Sequence, residues 1–270
     1  SYSTLGNLGS AQATSGSHDH SSGKQRWSSS GISPWSKPHL FALVSHFPDA
    51  KSITTSECGI IPPYRMWKLG GPLDITVYYD YLCPWCYVAA VRLQKIKEEY
   101  GDRVAITWKG LPLSMGRVQQ GSVTSSYIND VRARVCQEED SISCGVWPVS
   151  GPLPSSSLPA LVASKCARLQ GEEAFERYHM ALFRAYLEEC RDISNREVLI
   201  SLAWEVGLSV EPFRHDLDSG EHEKVVLEEY EEAKALPFSG LPTVIFEGGF
   251  PIEGALSIEI YRRAIERLID

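Results

Sequence analysis

The stretch Leu73-Asp74-Ile75-Thr76-Val77-Tyr78-Tyr79-Asp80-Tyr81-Leu82-Cys83-Pro84-Trp85-Cys86 decides how the rest of the chain is read. Its first seven residues are rich in β-branched and aromatic side chains and predict a strand. A Cys-x-x-Cys turn follows at Cys83 and Cys86. Tyr87 to Tyr100 then sets Val88, Val91, Ile96 and Tyr100 among Lys, Glu and Gln at near-helical spacing, and Gly101 is a helix stop. Val104 to Trp108 reads as a second strand, so the whole forms a βαβ unit whose helix is long enough for a parallel crossover. A Cys-x-x-Cys that opens a helix in this setting has a chemical consequence. Free N–H groups and the helix dipole favour a thiolate at Cys83, Pro84 is tolerated in the first turn, and Cys86 falls one turn later within disulfide reach. Cys83 is therefore expected to be the exposed, first-alkylated sulfur, with Cys86 one turn inside.

Two other readings of the pair compete with redox chemistry. Half a zinc site needs a second Cys or His pair at ligand spacing, and none is evident: Cys136 and Cys144 stand eight apart, Cys166 and Cys190 are solitary, and the seven His are dispersed. No metal is expected. The third reading is inert buried thiols. Cys136 and Cys144 could form an auxiliary redox pair, though sequence distance says nothing of geometry, while Cys166 and Cys190 read as small core or near-surface side chains.

Outward from this unit the organisation is uneven. Residues 1–72 hold 15 serines and no sustained apolar period, and read as a disordered or extension segment outside the fold. They are acid-poor, yet Arg-poor and without the apolar run of a secretory signal, so a targeting segment is the lesser reading. Residues 73–112 carry the βαβ part and 113–236 a helical insert. The insert opens with a Pro-rich stretch containing a short helix over Ser125 to Glu138, and Leu158 to Leu236 is largely helical. Within it, Phe175, Tyr178, Leu182, Phe183 and Tyr186 form a broad apolar stripe, Ser194 to Glu197 reads as a capping box, and Val225 to Leu236 as a further helix. Residues 237–270 close the fold: Thr243 to Phe246, a turn at Gly248-Gly249, a strand over Phe250 to Glu253, and a last helix over Ser257 to Leu268.

Asp80-Tyr-Leu-Cys83-Pro84-Trp85-Cys86-Tyr87, Ser239-Gly240-Leu241-Pro242-Thr243 and Ile252-Glu253-Gly254-Ala255 together resemble the DsbA-like thioredoxin-fold oxidoreductases, in particular the FrnE-like branch. The resemblance covers about residues 73–270. It implies an α/β thioredoxin fold with an inserted helical domain, a redox-active pair at Cys83 and Cys86, and a cis Pro242 facing that pair. The related 2-hydroxychromene-2-carboxylate isomerases and kappa-class glutathione transferases typically present Ser where this chain has Cys83, so the retained pair favours disulfide exchange. No cofactor is required on this reading, with glutathione the candidate reductant or mixed-disulfide partner. Leu241 and Pro242 would offer an edge to an extended substrate. Trp85 is read as a substrate contact or as a ring folded onto its own helix. Asp80 is read as a proton relay or simply a strand-ending, helix-capping residue.

Composition sets the outer limits. Hydrophobic residues at 43% and charged residues at 22% suit a globular chain, and a formal charge of -8 is the wrong sign for a broad nucleic-acid face. No apolar run approaches a membrane span of about 20 residues. The expected partners are protein or small-molecule thiols and disulfides, in the cytoplasm. A peptide-binding, chaperone-like module is the alternative from a different class.

Overall fold

The computed structural model describes residues 71–115, 125–148, 153–249 and 251–269; the extension read in 1–72 falls almost wholly outside them. Strand β1, Leu73–Tyr79, spans the run its side chains predict. Ile75 and Val77 are fully buried and alternate with half-exposed Asp74 and Thr76, the period of a strand with one covered face. Tyr78 and Tyr79 are both buried, because Glu232 and Ser164 of the helical segment reach their hydroxyls at 2.8 and 3.2 Å. Helix α1, Pro84–Tyr100, starts three residues earlier than the apolar spacing suggests. Cys83 is its N-cap and Gly101, at φ 56, its C-cap. After a 3₁₀ turn at Gly101–Arg103, β2, Val104–Gly110, pairs in parallel with β1 from Leu73↔Val104 to Tyr79↔Gly110.

The inserted segment holds α2 (Ser125–Val135), α3 (Leu158–Arg168), α4 (Glu172–Leu187), α5 (Arg196–Glu205), α6 (Val210–Ser219) and α7 (Glu221–Lys234). Helix α2 ends three residues short of the expected Glu138, where Gln137 and Glu138 turn back on Arg134 and Val135 with tighter i→i+3 bonds. The long helical stretch breaks between α6 and α7 at Gly220, whose φ of 71 few other residues adopt. The α4 stripe of Phe175, Tyr178, Leu182, Phe183 and Tyr186 is buried throughout. This segment grips the end of β2: Lys165 Nζ donates to the Trp108 carbonyl at 3.2 Å and to Glu229 at 2.6 Å, and Glu229 accepts the Gly110 N–H at 2.7 Å.

The cap of α5 departs from the expected box by one residue. Asn195, not Ser194, is the N-cap, its side chain accepting the Glu197 N–H at 2.9 Å. Ser194 is drawn off to Asp192 at 2.5 Å, and the Glu197 carboxylate pairs with Arg196 instead of reaching back. Asn195→Ala is accordingly expected to lower unfolding stability by about 1 kcal/mol. Urea titration would measure it, and an unchanged midpoint would mean the cap contributes nothing.

Strand β3 (Thr243–Phe246) runs antiparallel to β1 and pairs with β4 (Ile252–Glu253), giving the sheet order β2-β1-β3-β4. The second strand of the hairpin is thus shorter than expected, and Phe250 lies outside the described residues. Helix α8, Ile258–Ile269, closes the chain. The result is an α/β thioredoxin fold with a large helical insertion between β2 and β3. Among the described residues no helix is long and apolar enough to cross a membrane.

One consequence of register positions the site. Because β3 is antiparallel to β1 with Tyr78 opposite Thr243, the residues that precede β3 must lie beside those that follow β1. Leu241 and Pro242 therefore meet the turn carrying Cys83.

Candidate active site

Cys83 and Cys86 sit on the first turn of α1, where the backbone closes with Cys83 N–H to Asp80 O at 3.2 Å and Cys86 N–H to Cys83 O at 3.0 Å. Both thiols are free. Cys86 has no exposed surface, and burial, followed by the neighbouring Cys83 sulfur, pushes its thiol well above the ordinary range.

Cys83 differs from its expected exposure. Only 8% of it is accessible, and its thiol donates to the Leu241 carbonyl at 3.6 Å. The reason is the register just described, which folds the Leu241–Pro242 segment over the sulfur. The Leu241–Pro242 peptide is cis. Leu241 is 6% exposed, so the edge expected to receive substrate is covered in the reduced protein and its carbonyl is already engaged. Trp85 is half-buried and packs against the core, nearer the reading of a ring laid on its own structure.

Asp80 is fully buried at the end of β1. One carboxylate oxygen accepts the Leu82 N–H at 2.6 Å and the other the Leu113 N–H at 2.8 Å, and the nearby Ser157 side chain also favours the charged form. Burial outweighs these donors and raises the carboxyl to about 6. Its charge also raises the Cys86 thiol, so relay and local capping are both available to it.

Several long-range contacts shape the site. Gly254, at φ 93, donates its N–H to the Pro242 carbonyl at 2.7 Å, and Thr243 Oγ1 closes onto the Gly240 carbonyl at 2.6 Å, so two of the quoted motifs meet to hold the Pro242 turn. Arg92 of α1 donates to the Ala255 and Leu256 carbonyls at 3.1 and 3.0 Å and pairs with Glu138 and Asp140. Tyr81 bonds His179 Nδ1 at 2.8 Å and stands 3.3 Å from the Tyr79 hydroxyl. Burial pushes His179 well below its usual range, keeping it neutral. Cys136 and Cys144 form a disulfide, with Cα atoms 6.0 Å apart. Among the described residues no three His, Cys, Asp or Glu gather to hold a metal.

The chain that carries this site is similar to known proteins. Residues 74–266 match the family of DSBA-like thioredoxin domains. The ClpXP adapter protein SpxH of Halalkalibacterium halodurans is 28% identical over 211 residues, 73% of this chain and 68% of that protein. The cytosolic disulfide reductase DsbM from Pseudomonas aeruginosa, solved with glutathione, superposes with a TM-score of 0.60 at 22% identity over 73% of this chain and 99% of its own. A 2-hydroxychromene-2-carboxylate isomerase superposes with a TM-score of 0.53 at 21% identity, covering 72% of this chain and 95% of its own. At these identities the two structures share the fold with this chain.

Proposed function

The chain belongs to the family of DSBA-like thioredoxin domains, and from that premise we propose that it is a thiol:disulfide oxidoreductase working through Cys83 and Cys86. The observation that carries the reading is the pair itself: two free thiols at the N-terminus of α1, one on the N-cap residue and one sealed inside. Placement in the FrnE-like branch rests on the Asp80–Tyr87, Ser239–Thr243 and Ile252–Ala255 motifs.

In the reducing direction the Cys83 thiolate attacks a substrate disulfide. One substrate sulfur leaves as a thiolate and is protonated, and the other stays bonded to Cys83. Losing its S–H frees the Leu241 carbonyl, which can then accept a substrate backbone N–H. Cys86 gives its proton to Asp80, whose raised affinity for protons suits a base that works near neutral pH, and attacks Cys83 Sγ to release the second thiol. Two electrons have passed to the substrate and the protein holds a Cys83–Cys86 disulfide. Glutathione as reductant, and a cytoplasmic setting, are supported by the likeness to DsbM.

Brief iodoacetamide treatment of the reduced protein with peptide mapping is expected to label Cys83 ahead of Cys86 and Cys166. Cys86 is sealed, and Cys166 is buried with its thiol pushed up to about 12, leaving on the order of 10⁻⁵ of it as thiolate at pH 7. Label appearing first on either of them overturns Cys83 as nucleophile.

A second reading, a peptide-binding module, is favoured by the similarity to SpxH adapter proteins. The two separate in one comparison. Under the oxidoreductase reading Cys83→Ser loses insulin reduction and has no aggregation-suppressing activity; under the binding reading it keeps full suppression of aggregation.

A further inference from the structure

We propose that Cys136, Cys144 and Cys190 form a second thiol–disulfide exchange centre, in which the Cys190 sulfur attacks the Cys136–Cys144 bond and the buried Arg132 guanidinium holds the negative charge that moves between sulfurs. The inference stands apart from the Cys83/Cys86 reading and uses none of its residues.

Arg132 lies one turn before Cys136 and is 1% exposed. A buried guanidinium ordinarily faces a carboxylate, since an uncompensated charge away from water is costly. Among the described residues Arg132 has none. Its Nε and Nη1 are without hydrogen-bond partners, and Nη2 donates to the Leu187 carbonyl and, at 3.6 Å, to Cys190 Sγ. The ionisable atom this cation touches is therefore a sulfur. The carbonyl of the same residue stands 3.6 Å from Cys144 Sγ, so Arg132 contacts both cysteines that would exchange.

Gly145 brings them closer still. A Cβ placed on it would lie 2.9 Å from Cys190 Sγ and 2.1 Å from the Glu188 carbonyl oxygen, so the segment after Cys144 runs hard against the Cys190 turn, with Gly145 N–H bonded to Leu187 O at 2.9 Å. Cys190 itself has φ 52, the one non-glycine residue at positive φ among those described. That conformation suits Gly or Asn and disfavours Cys, and an outlier of this kind points to a use for the side chain. Cys190 is also only half-buried, open to thiols and disulfides from solvent.

The step balances without an outside oxidant or reductant. Cys190 loses its proton to water and its thiolate attacks Cys144 Sγ. The Cys144–Cys190 bond forms as the Cys136–Cys144 bond breaks, and Cys136 leaves as a thiolate that takes a proton from water. The Arg132 guanidinium stands beside the attacking sulfur and on the helix that ends at the leaving one. It also lies over the Tyr186 ring at 5.3 Å.

The test uses the full chain carrying Cys83→Ser and Cys86→Ser, so that the first pair takes no part. N-ethylmaleimide treatment of the oxidised protein, acid quench and non-reducing peptide mapping are expected to find adducts on both Cys190 and Cys136, with a Cys144–Cys190 cross-link in the Cys136-labelled molecules. Adding Cys190→Asn, which suits the left-handed backbone, should cut Cys136 labelling at least tenfold. Label confined to Cys190 over an intact Cys136–Cys144 bond overturns the proposal. A second variant guards against misfolding of the first: with Cys136→Ser, glutathione disulfide should produce the Cys144–Cys190 cross-link, whereas separate glutathione adducts on the two cysteines, or two free thiols, overturn it.

Discussion

Cys86→Ser is expected to hold substrate on the protein as a covalent mixed disulfide, and Cys83→Ser to hold none. The asymmetry follows from where each sulfur sits. Cys83 caps α1 beneath the Leu241 carbonyl, and Cys86 has no exposed surface, so no substrate sulfur reaches it first. A serine hydroxyl at position 83 stays protonated at any physiological pH and neither attacks a disulfide nor leaves as an anion. Insulin reduction by Cys83→Ser should therefore fall by on the order of 10³-fold or more, the scale on which removing a nucleophile is felt. In Cys86→Ser the first attack survives while resolution does not, so turnover falls similarly but a disulfide-linked species accumulates on non-reducing gels. Equal trapping by both variants, or trapping by Cys83→Ser alone, would assign the nucleophile wrongly.

The second large effect is a pH dependence set by Asp80. In the unfolded chain its carboxyl titrates near 3.8, whereas in the fold burial raises it to about 6. Below the lower value both states are protonated and the contribution is fully present. As pH rises through the folded value, the folded state must carry a buried charge and stability is lost. Two pKa units and a little more correspond to roughly 3 kcal/mol. Asp80→Asn lacks this titration. It also has one acceptor oxygen where Asp80 uses two for the Leu82 and Leu113 N–H groups, a loss that is the same at every pH. Urea unfolding of both proteins from pH 3.5 to 7.5 should thus show the parent losing about 3 kcal/mol relative to the variant. A constant difference would mean Asp80 titrates in the fold as it does in the unfolded chain.

Local chemistry in the sequence carried far in this protein. Strand β1 was legible to the residue, because β-branched alternation and the Cys-x-x-Cys turn bound it on both sides, and β3 likewise between Pro242 and the Gly248-Gly249 turn. What was misread depends on partners distant in the chain. The burial of Cys83 comes from Leu241, and no local pattern near Cys83 announces a cover that arrives with β3. The Asn195 cap displaced Ser194 because Asp192 competes for the serine hydroxyl, a choice between two good acceptors that spacing does not rank. Arg92, Arg132 and His179 carry no local signal, since a long-range bond leaves no period behind it. The Cys136–Cys144 bond stayed an open possibility in the sequence, because a separation of eight residues does not fix the Cα distance.

The covering of Cys83 by Leu241 also has a history in time. The thiol and the carbonyl that shelters it are 158 residues apart, with the whole helical insertion between them. A chain emerging from the ribosome at roughly 5 to 20 residues per second exposes the cysteine pair about 8 to 30 s before Leu241 emerges. Through that interval the dithiol lacks the proline loop that covers Cys83, and a disulfide in its surroundings can reach that sulfur. The newborn protein is thus most open to oxidation before it can work, and the insertion sets how long that opening lasts.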